Sequence, residues 1–176
     1  ELIAGNYFDR FRSRHPIHRY LMAQYIRRAK EMLATSGPRT VLEVGAGPGD
    51  LAGRLFLSCD GTVAAGITYR GIDICARQVD TARRQYPQLD FERASVYDLP
   101  YEDMAFDLCV ACEVLEHLED PQAALSEIAR VTRRHVLISV PWEPVWRGLN
   151  LLRGAYWRDL GNTPGHVQHF SRRAIR

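Results

Sequence analysis

Glu43, Gly45, Gly47, Gly49 and Asp73 are the residues whose types and spacing point most directly to ligand chemistry. Three glycines stand on alternate positions in Glu43-Val44-Gly45-Ala46-Gly47-Pro48-Gly49-Asp50, directly after the mostly apolar run Val41 to Val44. Glycine has no Cβ and reaches φ > 0 freely, so such a turn lets backbone N–H groups approach a bound molecule. The helix predicted from the apolar spacing of Leu51 to Leu57 adds a partial positive charge at its start. This is a seat for a nucleotide-like or charged small molecule. Asp73 lies 24 residues beyond Gly49, near the end of a second strand-like run, Tyr69 to Ile74. On a neighbouring strand tip its carboxylate can accept hydrogen bonds from both hydroxyls of a ribose. Alternatively it caps the helix predicted over Ala76 to Tyr86.

A second group follows the run Phe106 to Ala111. His117 has an unperturbed pKa near working pH and suits a general base for a hydroxyl acceptor; the plainer reading is a turn or solvent-facing histidine. Glu113, Glu116 and His117 are spaced i, i+3, i+4, so on a helix they would share one face, and His166 or His169 could complete a divalent metal site. Metal is the less favoured reading, and no residue is assigned as a metal ligand. Cys109-x-x-Cys112 lies on a strand-like run, where residues three apart point to opposite faces. A redox pair would open a helix and a zinc site would need a second ligand pair, so buried structural thiols are expected.

The elements that must position these residues follow from the pattern of the chain. Strands are expected at 41–44, 69–74, 89–94, 106–111 and 135–140, with helices from Asp50, over 76–86 and over 122–131, the last capped by Asp120-Pro121. Strands alternating with helices at this spacing form a doubly wound, mostly parallel α/β sheet. The fifth run, His135 to Val140, is nearly continuous in apolar residues, as a buried parallel strand should be. The dinucleotide fingerprint Gly-x-Gly-x-x-Gly is not met, because Asp50 stands where its third glycine belongs.

The Gly45-x-Gly47-x-Gly49 turn after Glu43, the loop ending in Asp98-Leu99-Pro100 and the run Cys112-Glu113-Val114-Leu115-Glu116-His117-Leu118 together resemble the class I S-adenosylmethionine-dependent methyltransferases. The resemblance covers Val41 to Pro141 and implies a Rossmann-like fold with S-adenosylmethionine as cofactor. It implies that Glu43 positions the cofactor's amino acid end or the loop, that Gly45, Gly47, Gly49 and Asp73 hold the cofactor, and that Cys112 and Glu113 lie near its methionine end. Ser95 and Val96 fall at the adenine, although the family's acidic residue there is replaced by Ser95. Glu-x-x-Glu-His is also similar to the metal motif of some oxygen methyltransferases. The family sheet has seven strands and five are read here, so the last two are expected to be missing and the native chain to continue.

Three segments are expected. Residues 1–36 form an arm and helix, with Tyr7 as the contact of a lid over the cofactor or part of an ordinary surface arm; 37–141 form the cofactor-binding core; 142–176 form an acceptor-side lid rich in Trp and Arg. The composition, 46% hydrophobic and 25% charged with a net charge of +2, is that of an ordinary globular protein and too mild to argue for nucleic acid. No apolar run reaches the length of a membrane span, and the default address is the cytoplasm. The expected activity is methyl transfer to a small-molecule acceptor, on oxygen before carbon or nitrogen. An RNA 2′-O-methyltransferase-like enzyme, a nicotinamide-dependent oxidoreductase and a non-catalytic cofactor-binding domain are the alternatives.

Overall fold

A computed structural model of the chain describes residues 16–140 and Gln168. Helix α1 (Pro16–Ser36) precedes β1 (Thr40–Val44), α2 (Asp50–Phe56), β2 (Thr68–Asp73), α3 (Ala76–Gln85), β3 (Asp90–Arg93), β4 (Phe106–Cys112), α4 (Pro121–Val131) and β5 (Thr132–Ser139). The strands form one sheet in the order β3-β2-β1-β4-β5, and every neighbouring pair is parallel. This is the doubly wound sheet expected from the alternation of strands and helices.

The sheet separates two apolar layers. Val41, Tyr69, Leu108 and Val110 face Ala29 of α1, Leu51, Ala52, Leu55 and Phe56 of α2, and Val79 and Ala82 of α3. Leu42, Val44, Ile72, Cys109 and Ala111 face Ala124, Ile128 and Val131 of α4. Alternate residues of one strand therefore serve opposite layers, as the period of a strand requires. The two cysteines of β4 obey the same rule: Cys109 belongs to the α4 layer and Cys112 packs against the other. Burial pushes each thiol up to about 11, so neither is a reactive thiolate at neutral pH. Cys59, in contrast, is exposed.

Two expectations about elements need correction. β5 begins at Thr132, three residues early, and is not a buried strand: Arg133 to Val136 are exposed, and Val136 and Ile138 keep 40% and 36% of their surface. It pairs only with β4 among the described strands, so its apolar residues line an outer edge. The second correction concerns the segment after β4. Leu115–His117 is a single turn of 3₁₀ helix, and Glu113 stands before it with φ 59°. Glu113, Glu116 and His117 therefore do not share a helical face. Other strand and helix ends shift by one residue, and Asp120 caps α4 as expected, accepting the Ala123 N–H at 3.0 Å. No described helix is long and apolar enough to cross a membrane.

Candidate functional site

After β1 the chain moves outward to β2 and β3, then crosses back to place β4 on the other side of β1. The direction of winding reverses there, and a crevice opens at the carboxyl ends of β1 and β4 where ligands bind in sheets of this kind. Gly45, Gly47 and Gly49 follow β1, Asp73 ends β2, Ser95 and Val96 follow β3, and Cys112 and Glu113 come at the end of β4. All eight thus fall at one edge of the sheet.

The glycine turn is held from several sides. Gly45, Gly47 and Gly49 all have positive φ, at 68°, 54° and 83°. At Gly45 a Cβ would come within 2.4 Å of a Val114 methyl, so the turn and the β4 loop approach too closely for any side chain. The Ala46 amide donates to the Ile72 carbonyl at 2.9 Å, tying the turn to β2. Asp73 completes the attachment: its Oδ2 accepts the Gly47 N–H at 2.9 Å and its Oδ1 accepts the Cys75 N–H at 2.8 Å. The N-cap of α3 is Cys75, so Asp73 bridges two turns and is not that helix's cap residue. A carboxylate accepts about four hydrogen bonds, and among the described residues these two amides leave about two sites on Asp73 for a ligand.

Glu43 is 2% exposed, with Oε2 accepting the Tyr69 hydroxyl at 2.7 Å. Burial raises its pKa to about 7; the Tyr69 hydroxyl pulls down and the charge of Asp73 pushes up. In the segment after β3, expected to meet the adenine, Val96 is buried, and Ser95 Oγ accepts the Tyr97 N–H at 3.2 Å, which leaves its hydroxyl proton to donate. Ile74, next to Asp73, keeps 49% of its surface. An exposed apolar side chain at this edge was not singled out in the sequence, where it reads as the last residue of a strand.

Beyond β4, the Glu113 amide donates to the Ser139 carbonyl at 2.9 Å, which draws the backbone out of helical geometry. His117 is exposed, whereas Glu116 is fully buried. Among the described residues no three metal-ligating side chains gather. Tyr7, His166, His169 and the 142–158 segment lie outside the described residues. Gln168 is described: its amide donates to the Glu116 carbonyl at 3.1 Å. Sequence reading also missed Tyr25 of α1, whose hydroxyl shares a 3.1 Å hydrogen bond with Ser139 Oγ and lies against the Cys112 thiol.

A family model described as "Methyltransferase domain" matches residues 42–140, more than half of the chain. The chain belongs to the class I S-adenosylmethionine-dependent methyltransferase family. Among curated proteins it is similar to an "Uncharacterized methyltransferase" of Mycobacterium sp. (strain JLS), 33% identical over 114 residues that cover 65% of this chain and 42% of the relative. It is also similar to "O-methyltransferase cnsE" of Penicillium expansum, 38% identical over 99 residues, 53% of this chain and 34% of that one. Its fold matches that of YcgJ protein from Bacillus subtilis with a TM-score of 0.59, at 24% identity, over 82% of this chain and 62% of the other. The chain spans less than half the length of these curated relatives.

Proposed function

We propose that this domain transfers a methyl group from S-adenosylmethionine to an oxygen atom of a small molecule. The observation that carries the reading is the Asp73 carboxylate, which fastens the glycine turn at the point where the winding reverses and retains acceptor capacity for two ribose hydroxyls. The site fits the cofactor in other respects. The amides of the turn and the start of α2 suit its charged amino acid end, and Glu43 and Glu113 offer carboxylates to its ammonium and sulfonium. Ile74, Val96 and the Ser95 hydroxyl provide an apolar wall and a polar contact for adenine, with Cys112 beside the methionine chain. Tyr7 is the proposed cover.

When bound, the cofactor supplies an electrophilic methyl group on sulfur. The contribution of the chain is to hold two reactants in line at close range. His117, exposed just beyond the end of β4, is the proposed general base that takes the proton of an acceptor hydroxyl. The O-methyltransferase of Penicillium expansum supports oxygen as the acceptor atom by similarity. No metal ligand is proposed. Thermal unfolding with and without S-adenosylhomocysteine tests the reading: the parent should be stabilised and Asp73→Ala should gain little. Equal stabilisation of both would remove Asp73 from the site, and none in the parent would refute the proposed function.

A further inference from the structure

Glu43 and Tyr69 form a buried pair beneath the crevice. The Tyr69 ring is 5% exposed and wedged between Phe56 and Phe91, at centroid separations of 5.0 and 5.6 Å. Gly71, which pairs with Glu43 across β1 and β2, makes this placement feasible: a Cβ on it would lie 2.6 Å from both the Tyr69 hydroxyl and the Phe91 ring. The hydroxyl therefore occupies the space of a missing side chain and reaches Glu43 from a ring that cannot swing away. A phenylalanine would fill the same aromatic cluster without burying a hydroxyl, and an apolar residue at position 43 would avoid burying a carboxylate. The polar pair costs stability that the fold does not need. Among the described residues only Oε2 of Glu43 is hydrogen-bonded, and Oε1 accepts nothing.

We propose that Tyr69 is a positioning residue of the cofactor site: its hydroxyl fixes the orientation of the Glu43 carboxyl group, so that Oε1 receives the amino group of the cofactor. This rests on the cofactor reading above. The titratable groups that face Glu43 are Tyr69 and Asp73 from β2 and Cys112 from β4. Burial and the Asp73 charge favour protonated Glu43, and the Tyr69 hydroxyl opposes them. Removing that hydroxyl raises the pH at which Glu43 ionises, so the defect should be largest near neutral pH and shrink as pH rises.

Calorimetric titration of the parent, Tyr69→Phe and Glu43→Gln with S-adenosylhomocysteine, and with 5′-methylthioadenosine, which has the nucleoside but no amino acid, tests this between pH 6.5 and 8.5. Tyr69→Phe should bind S-adenosylhomocysteine about tenfold more weakly than the parent at pH 6.5, the order expected for a hydrogen bond to a charged group, and within about threefold at pH 8.5. Its affinity for 5′-methylthioadenosine should equal that of the parent. Glu43→Gln should show the same selectivity without recovery at high pH, and adding Tyr69→Phe to it should cause no further loss. Equal weakening toward both ligands, a deficit independent of pH, or unaltered binding of S-adenosylhomocysteine would overturn the proposal while leaving the cofactor reading intact. If Tyr69→Phe does not fold, Glu43→Gln decides: it must discriminate between the two ligands, and failure to do so overturns the proposal. A parent that binds neither ligand refutes the cofactor reading itself, and this inference with it.

Discussion

A carboxyl group whose pKa burial raises to about 7 makes the fold sensitive to pH in an unusual direction. Folded Glu43 keeps its proton up to about pH 7, whereas in the unfolded chain it is lost near the ordinary value of 4.5. The folded state binds more protons in that window, so stability falls as pH rises through it and is level above. The full effect is roughly 3–4 kcal/mol, because the pKa moves from 4.5 to about 7 and each tenfold change in proton affinity is worth roughly 1.4 kcal/mol. Urea midpoints between pH 4.5 and 8 should decline for the parent and change much less for Glu43→Gln. At this scale the sequence was informative about Glu43, the glycines and Asp73, because motif offsets mark them. It was silent about Tyr69, which sits 26 residues away on another strand and meets Glu43 only through the vacancy at Gly71.

Elements were legible where local chemistry sets them. The Asp120-Pro121 start of α4 was readable as an N-cap followed by a first-turn proline, and Asp120→Ala should lower stability by about 1 kcal/mol in chemical denaturation. The 113–117 segment misled because its spacing suits a helix while its backbone answers to a distant partner. The Glu113 amide is taken by Ser139 of β5, and only Leu115–His117 remains to turn. The attachment of α1 was also invisible, since Tyr25 and Ser139 are 114 residues apart. Tyr25→Phe should cost about 1 kcal/mol of stability, with a matching drop in urea midpoint, as a partly buried hydroxyl contact is lost.

For the whole molecule, the parallel sheet was legible from alternation, but the depth of each strand was not. Apolar content alone did not separate β4, buried along most of its length, from β5, which lies at the edge of the described sheet. Leu42→Ala on the central strand should destabilise by about 2–5 kcal/mol, whereas Val136→Ala on β5 should remain within about 0.5 kcal/mol, both measured by thermal unfolding. The acceptor was the least legible feature, because the segments expected to wall it carry composition without a motif.

Because one aspartate grips the amides of both Gly47 and Cys75, the two turns at the mouth of the crevice are locked before anything arrives. Those amide protons should exchange slowly with deuterated solvent in the ligand-free protein, on the timescale of neighbouring strand amides and far behind ordinary loop amides. Little ordering entropy then remains to be lost if the proposed nucleoside cofactor associates there.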